Sequence, residues 1–286
     1  MSVDTSGLRG IDIHTHIPRP PHLAPSRRAA QMAQYFRSPV MGMSVEEMVE
    51  LYRRLQMMAV VFDVDATSTD ASPGVGNDYV AEVQQRYPDV LIGWASVDPW
   101  QGRAAIQELE RAVTALGLRG LKLHPTMQGF DPADDRFLPF FDAAAELGLV
   151  VLTHAGTSGL GAGEPGGQGL RIDLARPLLL DRVAARHPQM PIVLAHVGWP
   201  WHLEALAMAL HKSNVVLDIS GWRYRYLPED VRREMARRLR GQFCFGTDYP
   251  MFDPEACLDE LSALGLPDEA ERRVLRDNAA ALLGLE

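Results

Sequence analysis

The 286-residue sequence predicts a single α/β domain built as a (β/α)8 TIM barrel. Three observations carry that expectation. Short apolar, β-branched runs recur eight times, each giving way to a helix-like pattern. The runs are continuously apolar rather than alternating, as in parallel strands buried on both faces. The length suits one barrel, at about 250 residues plus insertions, and no low-complexity stretch divides it.

The first run, GIDIHTH (10–16), ends on two histidines. Residues two apart in a strand share a face, so His14 and His16 point one way and Thr15 the other. The next segment, about 17–45, holds no Asp or Glu but carries Arg19, Arg27, Arg28 and Arg37 among several prolines. It reads as a basic insertion after strand 1, either a solvated loop at the barrel mouth or a lid that meets an anionic substrate. SVEEMVELYRRLQ then opens a helix at Ser44, with Glu47 three residues on as a capping box. Strands 2 and 3 are MAVVFDV (58–64) and VLIGWASV (90–97), and QGRAAIQELERAVTALG is a helix ending in a glycine suited to a C-cap. Strand 4, RGLKLHP (119–125), brings Lys122 and His124. His124 reads mainly as a structural residue ahead of Pro125.

Strand 5, LVVLTHAG (149–156), ends near His154 and runs into the glycine-dense GTSGLGAGEPGGQG, either a flexible loop or a backbone cradle for an anion. Strand 6, PIVLAHVG (191–198), delivers His196, followed by Trp199 and Trp201. Strand 7, NVVLDISG (214–221), leads into Trp222, Arg223, Tyr224, Arg225 and Tyr226, either a packed rim or the wall of an aryl or anion pocket. Strand 8, QFCFGTD (242–248), ends at Asp248, and the helices PEACLDELSALG and DEAERRVLRDNAAALLG close the chain.

A net charge of −9 argues against nucleic acid or an anionic membrane surface as a partner. Only Cys244 and Cys257 are present, so no disulfide framework is expected and a reducing cytoplasm is the default. No N-terminal run is long and apolar enough for a signal peptide or membrane helix. A small anionic molecule is the expected partner, with a homodimer as the expected assembly.

Chemistry in such barrels sits at the C-terminal strand ends. His14, His16, Lys122, His154, His196 and Asp248 all fall there. Each alone reads as structural; together they would be costly to bury without a compensating ion. Imidazoles and a carboxylate suit a divalent cation, zinc first and manganese second, and bound water can then reach a pKa of about 7.

These residues in this order resemble the amidohydrolase superfamily. GLRGLKLHP, FGTDYP and NAAALLG resemble its amidohydrolase-2 branch, which holds aminocarboxymuconate-semialdehyde decarboxylase and aromatic-acid decarboxylases. More narrowly, THAGTSGLGAGEPGG, AHVGWPW, ALHKSNVVLDISGW and MAQYF resemble 4-hydroxyphenyl-β-ketoacyl-CoA hydrolases. The resemblance implies one metal per chain held by His14, His16, His154 and Asp248. It implies catalytic roles for Asp248, His196 and Lys122, with Lys122 a free ammonium or, in a binuclear site, a carboxylated bridge. Trp199, Trp222, Arg223, Arg27 and Arg28 are the expected substrate contacts.

Two reactions fit. A hydrolase would cleave a carbon–carbon bond of an aryl β-ketoacyl-CoA thioester. A non-oxidative decarboxylase would release CO2 from a hydroxyaryl or unsaturated acid. A non-catalytic metal-binding scaffold is the third reading.

Overall fold

The computed structural model describes residues 5–23, 27–39, 42–70 and 74–285, with the backbone alone for 27–29. Eight strands follow in chain order: β1 (Gly10–His16), β2 (Met57–Phe62), β3 (Leu91–Gly93), β4 (Gly120–Leu123), β5 (Val150–Thr153), β6 (Ile192–Leu194), β7 (Val215–Asp218) and β8 (Phe243–Cys244). Every paired neighbour is parallel. The ladders form two groups, β1-β2-β3 and β4-β5-β6-β7-β8. Single parallel bridges join them at both seams, Ala95 to Leu121 and Thr15 to Tyr249. Lys122 N donates to Ala95 O at 2.8 Å across one seam, and His16 N to Tyr249 O at 2.7 Å across the other. This is the expected TIM barrel.

The strands are shorter than the apolar runs that predicted them. The chain leaves the ladder where its polar residues begin, so His124, His154, His196 and Asp248 stand just past the strand ends. Alternate strand residues divide the core. Ile11, Val60, Phe62, Ile92, Leu152, Val193, Val216 and Cys244 fill the interior. Their neighbours Val61, Leu91, Val151, Leu194, Leu217 and Phe243 pack outward against the helices. By the same period of two, Lys122 and Asp218 point inward.

One irregularity matters for the site. The β1–β2 register shifts between Asp12 and Thr15. Asp12 meets Tyr52 of the helix Val45–Arg54 at 2.7 Å, while His14 and His16 enter the interior. That helix opens with the expected capping box: Glu47 N donates to Ser44 Oγ at 3.2 Å, and Ser44 N to Glu47 Oε2 at 2.8 Å. The basic segment after β1 contains a helix, Arg27–Phe36, that its sequence pattern did not specify. Among the described residues, no helix is long and apolar enough to cross a membrane.

Candidate active site

A cavity of about 1110 Å³ opens at the C-terminal end of the barrel. His14, His16, Lys122, His124, His154, His196 and Asp248 all line it. Five strand ends therefore contribute to one floor, and hydrogen bonds decide which atom each ring presents.

Asp218 organises two of the rings. Its Oδ2 lies 2.8 Å from His14 Nδ1. A carboxylate can only accept, so the His14 proton sits on Nδ1 and the Nε2 lone pair is left for the cavity side. There Nε2 accepts from Lys122 Nζ at 2.9 Å and stands 3.3 Å from Asp248 Oδ1. The other oxygen of Asp218 accepts from His196 N at 3.1 Å, Ser220 N at 2.9 Å and the Ser220 hydroxyl. His196 Nδ1 donates to Ser220 O at 3.1 Å, so its Nε2 also keeps a lone pair. Burial, then the Lys122 charge, pulls the His14 pKa down to about 3, so the ring is neutral. Burial raises the Asp218 carboxyl, but His14, His196 and Ser220 outweigh it and hold the group well below its ordinary value.

Asp218 and Ser220 were not among the residues singled out from sequence. A signal was present: Asp218 lies two residues beyond Val216, so a charged residue continues the inward face of an apolar strand.

Asp248 sits in the left-handed region at φ +64, held by its own N–H on His14 O at 2.8 Å. His196 does the same at φ +57, followed by Val197 at +50. Non-glycine residues there cost free energy and cluster at functional sites. Asp248 Oδ1 lies 3.2 Å from His16 Nε2. Burial raises the Asp248 carboxyl, but the His16 hydrogen bond and the nearby rings of His14 and His196 hold it far below the usual carboxylate range. Lys122 is fully buried, with Nζ 4.7 Å from the Phe62 ring centroid. Burial lowers its pKa to about 8, against the pull of Asp248 and Asp218, so it is a cation at neutral pH.

Two sets of donor atoms lie within 4.8 Å of one another: His14, His16 and Asp248, and His14, His196 and Asp218. The second is a hydrogen-bonded cluster, with Ser220 Oγ 3.0 Å from both Nδ1 atoms. The first opens on the cavity and is the donor set that fits a divalent cation. His154 lies outside both sets. Its Nε2 is buried without a hydrogen-bond partner among the described residues, as an unused ligand atom would be, and its ring centroid is 4.8 Å from that of His196.

The upper wall is apolar. Trp199 and Trp222 meet edge to face at 4.8 Å, and both line the cavity. Phe36 packs on Phe252 at 5.6 Å. Arg223 also lines the cavity, yet its guanidinium is tied to Glu260 at 2.5 Å. The side chains of Arg27 and Arg28 lie outside the described residues. Gly221 must be glycine: at φ +73, a Cβ would stand 2.4 Å from His196 Nδ1.

The fold and floor define a barrel with a cation-binding set of histidines and an aspartate at its C-terminal end. The chain belongs to the amidohydrolase family, whose model matches residues 11–285. A curated relative, 2-amino-3-carboxymuconate-6-semialdehyde decarboxylase of Dictyostelium discoideum, is 32% identical over 78 residues; the match covers 27% of this chain and only 22% of the relative. An uncharacterised TIM-barrel protein of Bordetella bronchiseptica superposes with a TM-score of 0.81 at 23% identity, over 96% of this chain and 98% of that one. The 5-carboxyvanillate decarboxylase of Novosphingobium aromaticivorans, solved with manganese and 3-methoxy-4-hydroxy-5-nitrobenzoic acid, superposes at 0.69 with 16% identity over the full length of both chains. At these identities the superpositions speak for the fold. The chain is thus an enzyme of a metal-dependent family.

Proposed function

We propose that the protein is a metal-dependent non-oxidative decarboxylase of a hydroxyaryl or unsaturated carboxylic acid. The observation that carries this reading is the pairing, on one cavity floor, of a buried ammonium with an ionised carboxylate: Lys122 and Asp248 both face His14 Nε2. The decarboxylase relatives support it, as does the aromatic upper wall.

His14, His16, Asp248 and His154 would hold the cation. Bound there, a divalent ion supplies Lewis-acid stabilisation of negative charge on the substrate's oxygens. The rest falls to the chain. Lys122 neutralises the substrate carboxylate. Asp248 takes the proton of the neighbouring hydroxyl, which pushes electron density into the ring. It then returns that proton to the carbon bearing the carboxylate. The carbon–carbon bond breaks, CO2 leaves, and the bonding electrons restore the ring. Before the first transfer, the His196 Nε2 lone pair accepts the hydroxyl's hydrogen bond and orients it; the proton then passes to Asp248. The apolar wall of Trp199, Trp222 and Phe252 excludes water.

The size of the cavity favours a second reading. At about 1110 Å³ it exceeds the needs of a single-ring acid, since pockets for drug-sized ligands span about 300–1,000 Å³. Carbon–carbon hydrolysis of an aryl β-ketoacyl substrate, with CoA reached by the basic segment 17–45 as a lid, uses that space. The narrower resemblance to CoA-ester hydrolases rests on sequence phrases alone.

A substrate panel separates the readings. Metal-loaded protein is incubated with hydroxybenzoates and with aryl β-ketoacyl thioesters. Release of CO2 supports the decarboxylase. A new aryl carboxylic acid together with the shortened acyl thioester, and no CO2, replaces it with the hydrolase. Turnover of neither class, with one metal ion per chain, leaves the scaffold.

A further inference from the structure

His124 differs from His14 and His196 on the same floor. His14 and His196 each spend the Nδ1 proton on an oxygen, of Asp218 and of Ser220. His124 Nδ1 instead accepts, from Met127 N at 3.2 Å. Its proton must therefore be on Nε2. That atom makes no hydrogen bond to the described residues, and the ring lines the cavity.

The residue is held at three points. Its backbone N–H donates to Gln128 Oε1 at 2.8 Å. Gln128 is in turn fixed by Nε2 on Asp65 O at 2.8 Å and on Val97 O at 2.9 Å. The imidazole lies flat on His154, at 3.8 Å between centroids and 7° between planes. HPTMQ thus sets a neutral N–H donor in a fixed direction before any ligand arrives. A capping residue alone would need none of this: asparagine or serine caps as well, without a ring in the cavity.

We propose that His124 is a substrate-positioning residue, whose Nε2–H donates to the hydroxyl, phenolate or keto oxygen beside the substrate's carboxylate. The inference rests on the reading that the cavity takes an acid with a neighbouring oxygen. Lys122, a cation, suits the carboxylate itself. A neutral donor suits the less charged oxygen next to it, and a site built to bond an oxygen discriminates against the analogue lacking it.

The test pairs a residue with a ligand atom. His124→Asn keeps an acceptor for Met127 N–H, because asparagine is a strong N-cap, but removes the Nε2 donor. Benzoate and 2-hydroxybenzoate differ only in the oxygen concerned. Their affinities for metal-loaded wild-type and variant protein are measured by titration calorimetry, with metal content checked on each sample. Wild type should prefer 2-hydroxybenzoate by roughly tenfold or more, the cost of leaving a buried donor unpaired. The variant should lose that preference while benzoate affinity and metal content stay unchanged.

An equal preference in both proteins overturns the proposal and leaves His124 a cap. No preference in wild type overturns it too. Loss of metal, or equal loss of both ligands, places the effect on His154 packing instead and also overturns it. His124→Phe, which keeps the stack but not the cap, should lose the same preference. Because the readout is binding, absence of CO2 release would remove the decarboxylase reading without touching this result.

Discussion

Replacing Asp218 by asparagine should unload the metal site from a distance. Asp218 is fully buried and serves four donors. Three of them, His196 N, Ser220 N and the Ser220 hydroxyl, converge on one oxygen. An asparagine in this place must keep its carbonyl oxygen there, or strand three donors. Its NH2 then faces His14 Nδ1, which now carries a proton; two donors would meet at 2.8 Å. The relief is to move the His14 proton to Nε2. That removes the lone pair from the cavity side, where it faces Lys122 and Asp248. Loss of an orienting carboxylate behind a ligating histidine costs about 10–100-fold in metal affinity. Loss of the charged hydrogen bond should also cost stability, about 1.5–3 kcal/mol. Zinc or manganese affinity measured by competition with a chelator of known strength, alongside chemical denaturation of the metal-free protein, reads both effects. An unchanged metal affinity in a folded Asp218→Asn protein would refute the tautomer argument.

Further outcomes follow from the same geometry. His196→Asn should retain the metal and lose about 10²–10⁴ in kcat; asparagine tolerates the φ of +57 and can still donate to Ser220 O, so wild-type turnover would show that Nε2 does nothing. Gly221→Ala should lower kcat with metal content unchanged, because its Cβ would stand 2.4 Å from His196 Nδ1 and displace the ring; full activity would mean that the ring's position is not critical. The buried Lys122 falls from 10.5 to about 8 on folding. Between those values the unfolded chain binds more protons, so the metal-free protein should gain stability as pH rises from about 8 toward 10.5, by about 3 kcal/mol in total. Denaturant midpoints across that range should rise in wild type and stay flatter in Lys122→Met; parallel curves would contradict it.

Much of this site could be read from the sequence, and the reason is periodicity. Chemistry at strand ends in a barrel follows from counting strands, and His14, Lys122, His154, His196 and Asp248 each close an apolar run. The fold followed from the same runs. Three features were not legible. The inward charge of Asp218 was visible in NVVLDISG, but its partner His14, 204 residues away, was not. The left-handed backbone at His196 and Asp248 depends on contacts that no local pattern encodes. The pairing of Arg223 with Glu260, which occupies a guanidinium expected to meet substrate, joins a loop to the helix Pro254–Ala263, 37 residues on. His124 illustrates the opposite case. Its place before Pro125 was visible, but only the tautomer imposed by Met127 separates a cap from a donor.

Charge on the floor sets an order of binding. Two ionised carboxylates, Asp218 and Asp248, face one ammonium, Lys122, and the buried rings of His14, His124 and His154 are held neutral, first of all by burial. Together these groups carry one net negative charge without metal, and a dication reverses it to one positive. An incoming carboxylate meets repulsion in the first state and attraction in the second, at low effective dielectric where such a reversal is large. Metal should thus be needed for binding of the acid, not only for its turnover. Titration of 2-hydroxybenzoate into chelator-treated protein at low salt should give no measurable heat, and zinc or manganese added back should restore it. Chelated protein that binds 2-hydroxybenzoate as tightly as loaded protein would place the acid away from this floor, and Lys122 and Asp248 would lose their assigned roles.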